Sequence, residues 1–299
     1  MKSAETHTAP HFEYHADDYG LFPAQSRRIL DCRENGNLNG VSVMPNSLDL
    51  DQCMAMLGQQ KDLAVTVHLN LVEGASLCGA EVVPDITDGL GNLNGSFGKL
   101  LVCSYGHSRH ELRRQLKKEL RAQIQAVMAY FPPDTPIRLD GHAHYHMIPV
   151  VFDALMDVIR EDGLKVSYIR LPKEYVGLYL RHLGQFHDFA LINLVKVAIL
   201  NLLVARNRRK YRAFLDKLEK RVFLGVFLSG RMYRENVEPL LPDVTKLAEK
   251  KGWDVELLAH PGGVLEPEDV AKLTSQDDVT FLTSPMRERE TSLFQIGVG

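Results

Sequence analysis

The chain alternates short apolar segments with amphipathic helical stretches along almost all of its 299 residues. This alternation is typical of β/α units, in which helices join parallel strands. Eight apolar segments are predicted to be strands, and eight parallel strands favour a closed barrel over an open sheet. The sequence therefore predicts an α/β barrel. The predicted strands cover residues 12–16, 40–44, 63–70, 137–141, 165–170, 222–228, 255–259 and 279–282.

The composition is that of an ordinary soluble globular protein. Hydrophobic residues make up 45% of the sequence and charged residues 24%, so the chain can bury a sizeable core. The formal net charge of −3 leaves no overall basic field of the kind that attracts nucleic acid. We therefore expect no nucleic-acid partner.

The four cysteines stand far apart, without the C-x-x-C spacing of a structural zinc site or a redox motif. We expect them to be reduced thiols, and the first eleven residues lack the apolar segment of a secretion signal. These features predict a cytoplasmic protein with a flexible N-terminal arm over residues 1–11. Residues 12–299 are expected to form one barrel domain, with a helical insertion at about 175–220.

An apolar segment at 189–205 is followed by a basic run at 206–210. A membrane-spanning helix needs about 20 apolar residues, whereas this shorter segment is interrupted by Asn193, Lys196 and Asn201. We predict a buried helix or one that forms a homodimer. The alternatives are a helix that lies on a membrane surface through residues 189–210, or one that covers an apolar ligand.

Polar side chains that could take part in catalysis or bind a metal recur where the predicted strands end. The carboxyl ends of barrel strands surround one mouth, so these side chains are expected to meet there. Adjacent carboxylates at a strand end need a cation, a proton or a metal if they are buried, although a helix cap in a solvated turn is the alternative. The residues in question are Asp17 and Asp18 after the first strand, His68 at the third, His142 after the fourth, Arg170 at the fifth and His260 after the seventh.

Histidines also alternate with small or aromatic residues after the fourth strand. A period of two would place Asp140, His142, His144 and His146 on one side of an extended backbone. Several histidines on one side favour a metal site, and His142 is the one nearest the strand end.

One carboxylate and two imidazoles suit a divalent cation that acts as a Lewis acid and lowers the pKa of bound water. We therefore predict that Asp18, His68 and His142 bind one metal ion. These donor types leave the ion open among zinc, manganese, cobalt, nickel and magnesium.

The remaining polar residues supply candidates for proton transfer. With Asp18 on the metal, Asp17 is free to act as general base toward water, and His260 is the candidate acid for a leaving group. Arg170 is predicted to keep Asp17 ionised through a charge-assisted pair. The alternatives are a structural histidine that bonds to a turn, and an ordinary surface ion pair.

These motifs resemble those of the YdjC/ChbG family of carbohydrate deacetylases, and they occur in the same order over most of the chain. The segment 228–232 is further similar to the hopanoid-associated HpnK branch. Substrate identity is left open because His15, Tyr19 and Phe22 replace the Asn, Phe and Ser usual in the family. The matching motifs are ADDYGL at 16–21, MPN at 44–46, HLNLVEG at 68–74, LDGHAHYH at 139–146, RLPKE at 170–174 and HPG at 260–262.

The resemblance implies a distorted TIM-like (β/α) barrel that removes N-acetyl groups from amino sugars with one divalent metal, magnesium or zinc. By motif position it implies Asp18, His68 and His142 as metal ligands, with Asp17 as base and His260 as acid. The substrate would be an N-acetylated sugar or glycolipid. Two other functions stay open: a non-haem iron oxygenase, which also uses two histidines and a carboxylate, and a catalytically silent protein that binds sugar or lipid.

Overall fold

The computed structural model describes residues 9–186, 190–273 and 276–297. Its centre is a sheet of seven parallel strands in the order β5-β4-β3-β2-β1-β7-β6. The first seven predicted strands are confirmed, with shifted ends. The strands are β1 Phe12–Tyr19, β2 Leu38–Val43, β3 Ala64–Leu69, β4 Ile137–Gly141, β5 Val166–Ile169, β6 Arg221–Leu224 and β7 Asp254–Ala259.

The eighth predicted strand, at 279–282, is wrong, because this segment belongs to the helix Gln276–Leu282. A run of four residues, here three apolar ones and a threonine, is too short for its periodicity to separate a strand from one helical turn. Leu282 packs with Phe22 and Val264 in a small separate apolar cluster, so one side of the helix is buried.

The sheet curls until its two edges approach each other. The backbone N–H of Glu219, just before β6, donates to the carbonyl of Ser167 in β5 at 3.0 Å. The guanidinium of Arg221 lies 4.8 Å from the centre of the Tyr168 ring across the same gap. The predicted TIM-like α/β barrel is thus confirmed, with seven strands in place of eight.

Helices connect the strands and cover the sheet, and several begin with a proline, which suits the first helical turn because its missing N–H would be unpaired there. The α-helices are α1 Pro23–Glu34, α2 Leu50–Leu57, α3 Phe97–Cys103, α4 Arg109–Met128, α5 Pro149–Glu161, α6 Val176–Leu180, α7 Leu191–Lys210, α8 Arg212–Leu215, α9 Arg234–Val237, α10 Leu241–Lys251, α11 Pro267–Val270, α12 Gln276–Leu282 and α13 Pro285–Glu290. Short 3₁₀ helices lie at His142–Met147, Leu183–Gln185, Glu238–Leu240 and Thr291–Gln295.

The lower half of the barrel interior is filled by ion pairs. Arg138 donates to Glu13 at 2.6 Å, Arg221 also contacts Glu13, and Arg170 lies 2.7 Å from Glu256. Buried charges require partners of this kind, because an isolated ion in the interior costs several kcal/mol. The network fills the barrel below the carboxyl ends of the strands, so the mouth is the part available for catalysis.

Of the predicted arm, residues 1–8 lie outside the described residues, whereas the carbonyl of His11 accepts a hydrogen bond from Val255. The boundaries of the arm, the barrel domain and the insertion at about 175–220 stay predictions. Within that insertion, α6, α7 and α8 occupy the connection between β5 and β6.

The asparagines that interrupt the apolar segment attach α7 to the barrel. Asn193 donates to the carbonyl of Phe227, and Asn201 donates to the carbonyl of Glu174. The opposite face of α7 is exposed and apolar, with Leu191 74% exposed. The helix is therefore only half-buried, and its contact with a second copy or a membrane stays a prediction. No helix in the described ranges is long and apolar enough to cross a membrane.

Glu174 makes the stability of the fold depend on pH. Burial raises the pKa of its carboxyl group to about 7, although the N–H groups of Gly225, Val226 and Phe227 act to lower it. A carboxyl whose pKa is higher in the folded than in the unfolded chain stabilises the fold fully below the unfolded pKa of 4.5. This contribution is lost as the pH rises through 7.

We therefore expect this site to lower the free energy of unfolding by about 3 kcal/mol as the pH rises from 4.5 to 7. Glu174→Gln should remove this part of the decrease in unfolding free energy with pH. Urea unfolding of both proteins across this range measures the difference, and identical slopes would show that Glu174 does not titrate as described.

Candidate metal and catalytic site

The end of β1 turns its two carboxylates in different directions. The strand continues through both aspartates to Tyr19, further than the sequence predicts. Asp18 has a φ of 65°, a left-handed conformation that Asp tolerates better than most residues, and its carbonyl accepts a hydrogen bond from Gln25 at 2.9 Å. Strain of this kind is often found at functional sites. As a result, Asp17 and Asp18 contact different partners.

The structure brings together the three predicted metal ligands. Ligand atoms of Asp18, His68 and His142 all lie within 4.8 Å of one another. Asp18 Oδ1 is 3.0 Å from His142 Nδ1 and 3.5 Å from His68 Nε2. Asp18 and His68 are fully buried, and the side chain of His142 is 12% exposed at the mouth.

The electrostatics of this cluster favour a cation among its donors. Burial alone would raise the pKa of Asp18, but the neighbouring rings of His142 and His68 and the charge of Arg287 hold it well below its usual range. Burial would lower the pKa of His68, yet the neighbouring Asp140 and Asp17 raise it to about 10. The pKa of His142 is also raised, against the effect of burial, by Glu73 and Asp18.

His68 is oriented by a carboxylate on the adjacent strand. Its Nδ1–H donates to Asp140 Oδ1 at 2.7 Å, and the two residues are paired in register between β3 and β4. Nε2 therefore points to the cluster, where it is buried without a hydrogen-bond partner among the described residues. Metal-binding histidines commonly donate their second N–H to a carboxylate in this way. The orphaned nitrogen and the donor set thus fit a divalent metal ion.

Two other groups of potential ligands lie deeper in the barrel, and both include His15. His15 Nδ1 lies 2.8 Å from Glu13, and its Nε2 lies 2.7 Å from Ser42 Oγ. Both ring nitrogens of His15 therefore have partners, whereas His68 Nε2 has none among the described residues. This difference makes the cluster at the mouth the better candidate for a metal.

Arg170 holds Asp17 with one oxygen free. Its Nη1 donates to Asp17 Oδ2 at 2.9 Å, whereas Asp17 Oδ1 is buried without a hydrogen-bond partner in the described part of the chain. Arg170 is fully buried and also binds Asp140 and Glu256, so it is no surface ion pair. Asp17 Oδ2 lies 3.9 Å from His68 Nε2, which places a candidate base beside the candidate metal ligands.

His260 directly follows β7 and stands at the level of Asp17 in β1. Ala259 pairs with Ala16 in parallel register, so the next residue on each strand comes to the mouth. The side chain of His260 is 15% exposed, and its ring packs edge-on against Phe281 with centroids 5.4 Å apart.

The prediction that four polar residues share one side after β4 is wrong for His144 and His146. Residues His142–Met147 form a 3₁₀ helix in which Ala143 and His144 have positive φ. Only His142 reaches the cluster. His146 Nε2–H donates to the carbonyl of Arg170, and burial lowers the pKa of its ring to about 4.

Sequence reasoning missed three charged residues at the site. Arg287 donates to Asp18 Oδ2 at 3.0 Å, Glu290 accepts the backbone N–H of His260 at 2.7 Å, and Glu73 lies 3.5 Å from His142 Nε2. Arg287 and Glu290 come from α13, and neither is part of a motif that ends a strand. Their three-residue spacing on a proline-initiated helix was the one available signal.

Arg287 fixes Asp18 through the oxygen that faces away from the histidines. We expect Arg287→Met to weaken zinc binding about 10- to 100-fold, because the residues that orient metal ligands contribute this much to affinity. Competition with a chromophoric chelator measures the change. Arg289→Met is the matched control, because Arg289 lies on the same helix but is exposed. Equal affinities for wild type and Arg287→Met would show that Arg287 does not hold the ligand.

Two kinds of known protein are similar to this chain. Chitooligosaccharide deacetylases of Yersinia pestis and Yersinia pseudotuberculosis are each 30% identical over 165 residues, which is 55% of this chain and 62% of theirs. The match thus spans less than two thirds of the relatives' length. The crystal structure of a candidate cellobiose-phosphate cleavage protein from Enterococcus faecalis aligns with a TM-score of 0.62 at 16% identity. It covers 96% of this chain and 91% of the other, and it shows a shared fold.

The alignment with a family model is longer than the alignment with these deacetylases. It runs from Tyr14 in β1 to Phe294, four residues beyond α13, and so includes every strand end described above. The matching model is described as YdjC-like protein, and the chain therefore belongs to the YdjC-like family.

Proposed function

We propose that this protein is a metal-dependent hydrolase that removes N-acetyl groups from amino sugars. The observation that carries the proposal is the cluster of Asp18, His68 and His142, with Asp17 Oδ2 3.9 Å from His68 Nε2. Two imidazoles fit zinc and other transition metals better than magnesium, which prefers oxygen ligands. The related Yersinia proteins, named chitooligosaccharide deacetylases, support N-acetylated oligosaccharides as the substrate class.

The proposed mechanism begins with a water molecule at the cluster. A divalent metal held by Asp18, His68 and His142 would act as a Lewis acid toward the water and the acetyl carbonyl. Asp17, whose Oδ2 lies 3.9 Å from His68 Nε2, accepts the proton of the attacking water, and Arg170 holds its carboxylate in place. The new C–O bond forms as the carbonyl electrons move onto its oxygen.

The second step breaks the C–N bond. An amine leaves poorly as an anion, so a proton must reach the nitrogen while the bond breaks. His260 is the proposed donor, because it comes to the mouth at the same register level as Asp17. The products are acetate and the free amino sugar.

The experiment is an assay of acetate release from N-acetylated mono- and oligosaccharides, together with metal analysis of the purified protein. We expect release that depends on a bound divalent ion. Oxygen consumption without acetate would instead support an iron oxygenase, and tight saturable binding without turnover would support a silent binding protein. Either result would contradict the proposed function.

A further inference from the structure

Glu290 is a buried carboxylate that the mechanism above does not use. It ends α13 and is 1% exposed. Its Oε1 accepts the backbone N–H of Met232 at 2.9 Å, and its Oε2 accepts the backbone N–H of His260 at 2.7 Å. One side chain thus joins the loops after β6 and β7 beside the mouth.

The same carboxylate oxygen also faces the imidazole of His260. Glu290 Oε2 lies 3.6 Å from Nδ1, longer than a hydrogen bond, and Nδ1 is buried without another partner among the described residues. Distances of this kind often shorten when substrate binds. His144 also interacts electrostatically with the ring, and Phe281 packs against its edge.

This arrangement distinguishes the two nitrogens of the ring. A proton on Nδ1 is stabilised by the buried carboxylate, so Nε2 is the nitrogen left to serve a substrate at the mouth. When Nε2 is also protonated, the positive charge of the ring is partly balanced by Glu290. A carboxylate that orients an imidazole in this way acts through the histidine and does not itself exchange the proton.

We propose that Glu290 is the positioning residue for His260, holding its backbone and its Nδ1 edge so that Nε2 delivers the proton to the departing nitrogen. This inference rests on the proposed function. In the step concerned, the proton moves from Nε2 to the amine as the C–N bond breaks, the bond electrons go to nitrogen, and Glu290 stays ionised.

The positioning can be measured without any reaction. Two-bond ¹H–¹⁵N correlation spectra report which ring nitrogen of a histidine carries the proton. We expect Nδ1 of His260 to carry it in the wild type, and Glu290→Gln to move the proton toward Nε2. Glu288→Gln is the matched control, because this exposed residue lies on the same helix. The same tautomer in wild type and Glu290→Gln would overturn the proposal, whatever the protein hydrolyses.

The kinetic arm compares two leaving groups. An amine needs the proton from His260, whereas 4-nitrophenolate leaves without one. Glu290→Gln should therefore lower kcat for an N-acetyl sugar about 10- to 100-fold, less than the roughly 10²- to 10⁴-fold that a general acid itself contributes, with an unchanged KM. Its hydrolysis of 4-nitrophenyl acetate should change less than about twofold. The double variant Glu290→Gln/His260→Ala should lose little more activity than His260→Ala alone, because the effects of residues that act as a unit are not additive.

Equal losses on both substrates would assign Glu290 a purely structural role and overturn the proposal. A wild-type protein that releases no acetate from any amide would contradict the proposed function. In that event the tautomer measurement alone decides whether Glu290 positions His260.

Discussion

Asp17→Asn is expected to lower kcat for acetate release about 10²- to 10⁴-fold while the bound metal stays at the wild-type level. The amide oxygen of asparagine can still accept the hydrogen bond from Arg170, so the local geometry should survive. What is lost is the negative charge of the carboxylate, whose Oδ2 lies 3.9 Å from His68 Nε2, beside the candidate ligands. Acetate assays and metal analysis of the same preparation measure both quantities.

Asp18→Asn is the matched control for this experiment, one residue further along β1. Because Asp18 lies 3.0 Å from His142 and 3.5 Å from His68, we expect this variant to lose metal and activity together. Loss of metal from Asp17→Asn as well would move Asp17 into the ligand set, and full activity would remove it from the mechanism.

Arg170→Met is expected to destabilise the fold by about 3–5 kcal/mol, the cost of removing one partner from a buried ion pair. Arg170 is fully buried and contacts three carboxylates, those of Asp17, Asp140 and Glu256. Methionine fills a similar volume but leaves these charges without their arginine. Urea unfolding at neutral pH measures the change.

The pH dependence of this destabilisation follows from Asp140. Burial raises the pKa of its carboxyl group, but Arg170 and His68 outweigh burial and hold it below its usual range. A lowered carboxyl pKa stabilises the fold above the unfolded value of 3.8 and less as the pH falls below it. The difference in free energy of unfolding between wild type and Arg170→Met should therefore become smaller in acid.

Arg160→Met is the control for a surface pair, because Arg160 is 75% exposed and contacts only Asp157 among the described residues. Its effect should stay below about 1 kcal/mol. Equal effects of the two substitutions would show that the buried network contributes little to stability.

Seven of the eight strands could be predicted because buried parallel strands are rich in apolar residues, which is visible in sequence, although β1 also carries the buried Glu13 and His15. The segment at 279–282 failed because its four residues fit a helical turn equally well. The asparagines of the apolar segment were visible, but their role was not. Asn193 and Asn201 bond to carbonyls 34 and 27 residues away in sequence, and no local pattern reveals such partners.

The candidate ligands could be predicted because parallel strands deliver their last residues to one mouth, as Asp18, His68 and His142 show. The contribution of α13 could not. Arg287 lies 269 residues from Asp18 in sequence, and only the fold brings α13 to the end of β1. The left-handed turn after β4 was equally hidden, since a period-two pattern presupposes an extended backbone.

The most direct test of the metal-dependent deacetylase account is a metal titration of acetate release. The protein is stripped with a chelator, assayed on an N-acetylated chitooligosaccharide, and assayed again as a divalent ion is added back. The account predicts no release from the stripped protein and recovery that saturates at one ion per chain. Undiminished release from protein that metal analysis shows to be empty, or no release with any divalent ion, would contradict it.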